Sequence, residues 1–487
     1  MNLLSNFTVA IHHTLGDAHY PPQTPFHPPQ AYPEYPFKPD ELNRENTVYT
    51  AVREILRLLQ LDPSHFDQKI WNPLGDIIQP GDQVLLKPNL VKHQNGLGYD
   101  PLSVVTHGSI IRAVLDYVTI ALQGKGTILI GDAPLQGTDI SQVLRITGLD
   151  DVLAFYTHQP GIHIEFVDFR CERAIIEGSM VVQRDSLSGA SGGYQSVNLG
   201  RLSLLEDISR RYQRFRVTDY DRPSMTVHHT QEVHEYLIPR SVLQSNVVIN
   251  LPKMKTHRKV GVTLSLKNLV GINGHKDWLP HHTNLSIDED GDEYLHPSWR
   301  KRLDTRLDEH IDTIPGRFGK YSLRAGRKIL KLSDMLVHFP DPYFEGSWWG
   351  NDTLWRTVLD LNRILFFADS KGRITDNIQR RYLTLVDGFL AGEGEGPLEP
   401  TPRVCGLLIA GYAPAIIDSV CARMMGFDPT KIPLIRQALT ADWLTPPGQH
   451  IQILTNEHRW SNSLTWKRKD SLAFIPSRGW LGYIELD

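Results

Sequence analysis

The densest group of chemically active side chains in the sequence lies in the segment Leu251–His282. Its candidate functional residues are Lys253, Lys255, His257, Lys267, Asn268, His275, Lys276, Asp277, His281 and His282. Imidazole, with an ordinary pKa of ~6.5, suits proton transfer near neutral pH. A lysine can bind an anion, or lose its proton when it is buried. The segment therefore predicts an active site; the alternative is a set of solvated lysines and hydrogen-bonded core histidines.

Two shorter motifs, KPN and GDAP, each follow an apolar stretch. Lys87 and Asn89 supply a cation and an amide that could bind a carboxylate or a phosphate. Asp132 could ligate a cation or hold a sugar hydroxyl. In the alternative interpretation, Asp132 caps the following helix and Lys87 forms a surface ion pair.

Acidic residues occur in the glycine-rich segment VDGFLAGEGEGP. Asp387 ends an apolar stretch, and Glu393 and Glu395 are separated by glycine. Carboxylate oxygens in such a segment could bind a divalent cation, and the alternative is a flexible solvated loop. The segment matches neither an EF-hand nor a phosphate-binding or dinucleotide-binding glycine motif, so no nucleotide site is predicted.

The segment GNDTLWRTVLDLN carries Arg356 and Asp360 four positions apart, on one face of a predicted helix. Pairs with this spacing more often stabilise a helix than act in catalysis. Arg356 nevertheless remains a candidate anion-binding residue. Neighbouring tryptophans could stack on a sugar ring or simply pack.

The stretch from Arg300 to Lys331 is basic, with ten Lys and Arg residues against four Asp and Glu residues. A basic amphipathic helix can lie on an anionic membrane surface. The sequence therefore allows peripheral membrane contact through residues 300–331, with a solvated helix face as the alternative.

Strands and helices alternate from about residue 80 onwards. Apolar stretches such as QVLLKPNLV, GTILIGDAP and VVINL are separated by segments with helical periodicity. This alternation predicts an α/β fold with a mostly parallel sheet, or sheets, flanked by helices and carrying helical and irregular insertions. Ligands in such folds bind at the carboxyl ends of the strands. We therefore expect Lys87, Asp132 and His257 to share one edge of the sheet.

The sequence divides into six predicted segments. In chain order they are an N-terminal strand and Pro-rich arm (1–48), a first α/β region (49–171), an insertion or small subdomain (172–240), a site-bearing α/β segment (241–294), a basic helical insertion (295–350) and a C-terminal α/β region (351–487).

Composition excludes several classes of protein. A net charge of −4 at pH 7 argues against nucleic acid as the main ligand. The three cysteines, Cys171, Cys405 and Cys421, form no paired motif, which excludes an Fe–S cluster held by this chain, a four-cysteine zinc site and a disulfide scaffold. A divalent metal held by other residues remains open. With no signal-peptide pattern and no apolar run of ~18–20 residues, a cytoplasmic location is expected.

The chain resembles the "domain of unknown function 362" family. The resemblance rests on motifs in a fixed order over residues 80–430: KPN, GDAP, INLPKMKTH, GVTLSLKNLVGI, LVDGFLAGEGEGP and AGYAPAIIDSVCARMMGFDP. It implies a fold and a site but no particular reaction. Some relatives carry an added ferredoxin-like domain, for which this chain has no cysteine pattern. The segments LPHH and GNDTLWR resemble a subgroup associated with bacterial polysaccharide gene clusters.

A more distant resemblance links the segment to nickel-pincer lactate racemases. These enzymes place a histidine after a strand, then a lysine and then a second histidine, and His257, Lys267 and His282 have the same order. In the racemases the lysine holds the cofactor, one histidine transfers protons and another ligates nickel. Their Asp–Arg pair on the first strand is replaced here by KPN, so only the layout is expected to carry over.

We hypothesise an enzyme that transfers a proton or hydride on a small anionic or sugar-like substrate, with polysaccharide biosynthesis as its setting. The expected catalytic residues are His257, Lys267 and His282. The expected substrate- or anion-binding residues are Lys87, Asn89, Lys255, Asn268 and Arg356. The expected metal ligands are Asp132, His281, Asp387 and Glu393. The alternatives are a metal-dependent transferase or hydrolase in glycan assembly, and a non-catalytic carbohydrate- or anion-binding accessory protein.

Overall fold

Strands and helices alternate through most of the chain. The computed structural model of the protein describes residues 3–16, 18–38, 41–177, 180–190, 192–217, 222–303, 306, 343–448 and 450–487. Within them the strands are β1 (Thr8–His13), β2 (Gln83–Pro88), β3 (Thr127–Asp132), β4 (Ile164–Asp168), β5 (Glu172–Glu177), β6 (Met180–Ser186), β7 (Tyr194–Asn198), β8 (Phe215–Arg216), β9 (Glu235–Pro239), β10 (Val247–Leu251), β11 (Lys253–His257), β12 (Gly261–Thr263), β13 (His282–Thr283), β14 (Arg381–Glu395), β15 (Glu399–Gly411) and β16 (Gln452–Thr455). The helices are α1 (Thr47–Leu58), α2 (Gly108–Leu122), α3 (Ile140–Thr147), α4 (Leu149–Thr157), α5 (Arg222–His228), α6 (Arg240–Gln244), α7 (Ser265–Asn268), α8 (Leu354–Phe367), α9 (Pro414–Met425) and α10 (Pro433–Thr440).

Among the described strands, ten form one mixed sheet. Its order is β16–β1–β15–β14–β10–β2–β3–β4, and β11 and β12 are attached beside β14. The run β14–β10–β2–β3–β4 is parallel, whereas β15 is antiparallel to both β14 and β1. The expected α/β class is confirmed. The carboxyl ends of β10, β2 and β3 meet at one edge, where ligands bind in this class of fold.

The central strands are buried on both faces. Every residue of β10 is buried, with Val247, Ile249 and Leu251 in the core beneath α1 and α2 and Val248 in the opposite core beneath α8 and α9. Successive side chains of a strand point to opposite faces, so this strand contributes to both cores. The exception is Asn250, a fully buried amide on the second face, which belongs to the site described below.

The helix boundaries follow local signals. The side chain of Asn46 accepts a hydrogen bond from the amide of Tyr49 and so caps the start of α1. α9 begins at Pro414, which needs no amide partner there, and ends at Gly426, whose φ of 91° favours glycine. The apolar spacing of TVYTAVREILRLLQL and AIIDSVCARMMG predicts helices at these two places, and both helices are confirmed.

The sequence predicts a loop at PKMKTH, after the apolar stretch VVINL, and another at the glycine-rich stretch with Glu393 and Glu395, but both segments are strands. The sequence PKMKTH forms β11, because β14 continues past the sheet edge and pairs with it at Lys253 and Lys255, with a bulge between the two. The glycine-rich segment ending at Glu395 is the second half of β14, paired with β15 as far as Glu399. Both strands therefore extend the sheet beyond the edge where the sequence places loops.

The region between residues 172 and 240 contains two small antiparallel pairs, β5–β6 and β7–β9. The division of the chain into six segments stays a prediction. The core of the basic insertion, with Arg324, Arg327 and Lys328, lies outside the described residues. In the described part of the chain, no helix has the length and hydropathy of a membrane-spanning segment.

Candidate anion-binding site

A cavity of ≈ 460 Å³ opens at the carboxyl edge of the sheet. Residues at the ends of β2 and β3, on β11, between α7 and residue 281, and in the β14–β15 turn form its wall. Asp132 is the one carboxylate among the described residues that line it. The basic lining side chains are Lys92, Lys255, Arg258, Lys259, Lys267 and Lys276. This excess of basic groups makes the cavity attractive to anions.

The one acidic group of the cavity is already paired. The ammonium of Lys87, behind the cavity wall, lies 2.7 Å from Asp132 Oδ1, and both side chains are almost completely buried. Asp132 Oδ2 accepts a hydrogen bond from the amide of Leu90 at 2.7 Å. Lys87 also donates to the carbonyl of Pro88 at 2.9 Å. The carboxylate therefore compensates Lys87 and is not free to neutralise the other lysines.

Lys255 is fully buried and surrounded by neutral oxygens. Its ammonium donates to Asn89 Oδ1 (3.2 Å), to the carbonyl of Val104 (2.6 Å) and to the carbonyl of Pro397 (3.3 Å). Burial, followed by the nearby charge of Lys253, lowers its pKa well below the ordinary value. These hydrogen bonds fix the position of the amine but leave its positive charge uncompensated.

Lys267 and Lys276 have fewer stabilising contacts than Lys255. Within the described part of the chain, neither amine has a hydrogen-bond acceptor or a carboxylate at ion-pair distance. Burial lowers the pKa of Lys267 to about 8, and the positive charge of Lys87 adds to the effect. Burial also lowers the pKa of Lys276 to about 7, against the opposing effect of Asp132. A bound anion would stabilise the protonated form of both groups.

A chain of buried amides holds the wall of the cavity. Asn89 Nδ2 donates to Asn268 Oδ1 at 2.9 Å. Asn268 Nδ2 donates to Asn250 Oδ1 at 2.7 Å and to the carbonyl of Lys87 at 3.0 Å. Asn250 Nδ2 in turn donates to the hydroxyl of Tyr382 at 2.7 Å. Asn89 and Asn268 were predicted to bind the anion; they line the cavity, and their amides bind each other.

The short helix α7 places Lys267 at the cavity. Its first two amides, those of Ser265 and Leu266, donate to the carboxylate of Asp418 at 2.8 and 3.0 Å. Asp418 is fully buried on α9, and burial raises its pKa to about 7. The orientation of α7 therefore depends on a carboxylate from a helix packed against it.

Lys276 begins a tight turn, Lys276–Trp278, that is anchored on both sides. Before it, Asn273 Oδ1 accepts a hydrogen bond from the amide of Leu237 at 2.8 Å. Within it, Asp277 forms an ion pair with Arg184 at 3.0 Å. The backbone that carries Lys276 is thereby fixed against β9 and β6.

Two histidines that line the cavity carry their proton on different ring nitrogens. His257 Nδ1 accepts from the amide of Lys259 at 3.1 Å, so in the neutral ring Nε2 carries the proton. His281 Nδ1 lies 2.6 Å from the carbonyl of Leu279, which can only accept, so its Nε2 holds a lone pair. Burial first, with neighbouring cations such as Lys267 adding to it, lowers the pKa of both rings well below the ordinary value. The pair thus offers one N–H donor and one basic nitrogen.

Five of the predicted site residues do not line the cavity, namely Lys87, His282, Arg356, Asp387 and Glu393. His282 lies on β13, is 4% exposed and pairs through its backbone with Arg216 of β8. Arg356 forms ion pairs with Asp207 at 2.9 Å and Asp352 at 3.3 Å. The sequence predicts a ladder of Asp352, Arg356 and Asp360, of which the Asp352–Arg356 pair forms. Asp360 instead accepts hydrogen bonds from the amide of Leu204 at 2.8 Å and from the hydroxyl of Tyr236 at 2.9 Å.

The predicted metal ligands are not assembled. Asp387 accepts from Lys253 at 3.0 Å and from the hydroxyl of Tyr20 at 2.6 Å. Glu393 forms an ion pair with Arg403 at 2.7 Å. In the described residues, no three ligand atoms lie within 4.8 Å of one another from the set Asp132, His281, Asp387 and Glu393. Three of these four residues, Asp132, Asp387 and Glu393, are instead paired with the protein cations Lys87, Lys253 and Arg403.

A different group does bring three metal-type ligands together. Ligand atoms of Glu172, His275 and Asp277 lie within 4.8 Å of one another. The guanidinium of Arg184 contacts both Glu172 and Asp277, however. The negative charge of this group is therefore compensated by an arginine.

Sequence reasoning gave no role to several basic groups of the cavity, namely Lys92, Arg258, Lys259 and Lys276. Lys276 belongs to the dense segment, but nothing in its local sequence distinguishes it from a solvated lysine. Its burial is produced by packing of its turn against distant strands, which no short motif encodes.

Gly271 allows a test of the Lys87–Asp132 pair. A Cβ at this position would lie 1.9 Å from Asp132 Oδ1 and 2.6 Å from Lys87 Nζ. We expect Gly271→Ala to separate the pair and to lower the free energy of unfolding by about 3 kcal/mol, the typical cost of breaking a buried ion pair. Calorimetric melting measures the effect. The control is the exposed Lys125→Ala, which lies outside the pair; equal melting temperatures for the two variants would contradict the prediction.

Lys276→Met should stabilise the protein in a pH-dependent way. The folded-state pKa is about 7 and the ordinary value is 10.5, so between these values the unfolded chain binds a proton that the folded chain does not. The stability of the wild type therefore rises with pH in this window, by about 1.4 kcal/mol per pH unit from this group. The advantage of the variant should be largest at pH 7 and vanish near pH 10.

Denaturant unfolding of both proteins between pH 7 and pH 10, without polyvalent anions, measures this difference. The exposed Lys69→Met serves as the control and should show no such trend. A stability difference for Lys276→Met that does not change with pH would show that the lysine is solvated.

Comparisons with known proteins agree with the resemblance seen in the sequence. Residues 191–423 match the family described as "Domain of unknown function (DUF362)". The chain is 21% identical over 361 residues to a thylakoid-associated protein of Synechocystis sp., covering 74% of this chain and 68% of that protein. A solved structure of a Thermotoga maritima protein aligns with a TM-score of 0.32 at 12% identity, covering 77% of this chain and 58% of that one.

The family match includes β11, α7 and the turn at Lys276, but not the ends of β2 and β3. The likeness to lactate racemases stays a prediction. Residues 191–423, which carry the lysines and histidines at the centre of the cavity wall, match the model of the domain of unknown function 362 family.

Proposed function

We propose that the protein is an enzyme that binds a small anionic compound and transfers a proton at a carbon atom of it. The observation that supports the proposal is the set of buried lysines facing one cavity whose charges the described residues do not neutralise. A buried charge costs several kcal/mol unless it is paired. A protein that keeps such groups at a cavity gains from them when an anion binds.

The lysines divide this work. Lys255 is held in position by three neutral oxygens, and because burial lowers its pKa well below the ordinary value, a bound anion would favour its protonated form. Lys267 lies on the cavity surface, is partly exposed, and has its donors available for a ligand carboxylate or phosphate. Charge-assisted hydrogen bonds of this kind are the strong ones in proteins.

The two histidines provide the proton transfer. His257 presents Nε2–H and can donate to an oxygen on which negative charge develops, as a neutral imidazole can. His281 presents the Nε2 lone pair and can accept a proton from carbon. Each ring is fixed in its tautomer by a backbone group, so the two roles do not interchange without rotation of a side chain.

The cellular setting is also part of the proposal. We place the reaction in the cytoplasm, and the name of the Synechocystis relative suggests contact with a membrane. The basic residues 300–331 are the candidate contact surface in this chain.

The tryptophans considered for sugar stacking pack internally: Trp348 is fully buried, and Trp349 stacks on Tyr483 at 4.3 Å.

Sulfate binding tests the first half of the proposal, because sulfate keeps its charge over the relevant pH range. We expect its affinity to fall as the pH rises through 8, where Lys267 loses its proton. Lys267→Met should bind sulfate at least tenfold more weakly, which corresponds to about 1.4 kcal/mol, and should lose this pH step. Calorimetry in buffers of different ionisation enthalpy measures both affinity and proton uptake.

The exposed Lys125→Met provides the control and should bind sulfate as the wild type does. If Lys267→Met and the wild type have the same affinity at pH 7, the cavity is not the anion site.

Deuterium exchange tests the second part of the proposal, the transfer of a proton at a carbon atom. We expect the protein in D₂O to exchange a carbon-bound hydrogen of a small oxo- or hydroxycarboxylate, followed by NMR across a panel of such acids. His281→Gln should slow the exchange by about 100-fold or more, the usual contribution of a general base, and leave sulfate affinity within about twofold. The neighbouring His282→Gln, outside the cavity wall, is the matched control. If exchange is as fast in His281→Gln as in the wild type, His281 is not the general base.

A further inference from the structure

The amines around the cavity differ in the hydrogen bonds that they make. Lys87 is bound to Asp132 and to a backbone carbonyl. Lys255 donates to three oxygens and has no donor left. In the described part of the chain, Lys267 and Lys276 face the same space without any acceptor. These two amines, together with Lys92 at the cavity wall, are therefore open to a ligand, and Lys276 is the most buried of the three.

Burial separates Lys267 from Lys276. Lys276 is 6% exposed, whereas Lys267 keeps more contact with solvent. Burial is the main effect on the pKa of Lys276; Asp132 opposes it, and three cations, Lys267, Lys87 and Arg170, add to it. The guanidinium of Arg170 is held by Asp168 and by two backbone carbonyls, so its position is fixed. A buried amine next to other cations prefers the neutral form, in which nitrogen has a lone pair and is a nucleophile.

The proposed proton transfer needs an activated carbon acid. His281 accepts the proton through Nε2, but burial and nearby cations make this imidazole a weaker base than free histidine. Such a base removes a proton from carbon only where the carbanion is strongly stabilised. An iminium group next to that carbon provides this stabilisation by accepting the electron pair.

We propose that Lys276 forms an imine with the carbonyl carbon of an anionic oxo compound, of the 2-oxo acid class. The inference rests on the proposed function and names its substrate class. The carboxylate of the compound would be bound by Lys267 within the field of Lys255, which places the adjacent carbonyl carbon near Lys276. His257 Nε2–H would donate to the carbonyl oxygen as it takes up negative charge.

The step balances without a further reactant. The nitrogen lone pair of Lys276 forms a bond to the carbonyl carbon, and the π electrons move to oxygen, which takes up a proton. One proton then moves from the nitrogen to the hydroxyl oxygen, the carbon–oxygen bond breaks, and water leaves as the C=N bond forms. The sum is an amine, a ketone and one proton giving an iminium ion and water. The C–H electron pair next to the iminium carbon then moves toward nitrogen as His281 takes the proton.

Borohydride trapping tests this inference on the full-length protein, with pyruvate as the probe. We expect one N-carboxyethyl group per chain after reduction at neutral pH, and peptide mass spectrometry should locate it on Lys276. Methyl pyruvate, which lacks the carboxylate, should label at least tenfold less. Sulfate should compete with the labelling, because it occupies the same cationic site.

Variants sharpen the result. Lys276→Met should abolish the label, and the exposed Lys125→Met should keep it. Lys267→Met should slow labelling by pyruvate but leave its location unchanged. Mapping of the label on the wild type needs no variant, so the test stands even if Lys276→Met folds poorly.

Two outcomes overturn the inference: no adduct in a protein that binds sulfate, or adducts on Lys267 or spread over surface lysines. Sulfate binding with deuterium exchange but no adduct on Lys276 leaves the proposed function standing without the imine. If the wild-type protein does not bind sulfate at all, the proposed function itself is contradicted.

Discussion

The properties of the cavity depend on one imbalance: several buried amines share the field of a single carboxylate, and that carboxylate is already bound to Lys87. An ammonium taken out of water needs a partner or loses its proton. Lys255 has only neutral oxygens, and Lys267 and Lys276 have no acceptor within the described residues. Their lowered pKa values are the direct consequence. An anion in the cavity would supply the missing charge.

The fold creates this imbalance by bringing distant segments to one edge of a parallel sheet. β2 supplies Lys87, β3 supplies Asp132, and β11 supplies Lys255 and His257. The buried amides of Asn89, Asn268 and Asn250 connect these segments through hydrogen bonds that do not change with pH. This rigid, neutral network holds the basic side chains close together. Flexible side chains at a surface would instead move apart and so reduce the repulsion between like charges.

Much of the fold could be predicted from the sequence, because apolar periodicity and capping residues are local. The α/β class, the helices α1 and α9 and the apolar strands β2, β3 and β10 follow from such patterns. β11 was missed because its polar sequence lacks a strand pattern and because one of its two partners, β14, lies more than a hundred residues away; the other is the short neighbouring strand β12. Pairing of this kind leaves no mark in the short segment PKMKTH.

The candidate site, like the fold, could be predicted from the sequence only in part. Motifs at strand ends correctly indicated where Asp132 and His257 would meet, since the carboxyl ends of parallel strands share an edge. They could not separate His281 from His282, because neighbouring residues in extended backbone point to opposite sides. Nor could they show that Asp387 is bound to Lys253, a pairing that exists only because β11 lies beside β14.

The most direct test of the cationic cavity is a crystal structure of the protein soaked in selenate, with data collected at the selenium absorption edge. An anomalous peak between Lys267 and Lys276 is the expected result, since selenate reproduces the shape and charge of a small oxyanion. A cavity without a peak, with these two amines turned toward protein carboxylates, would contradict the account.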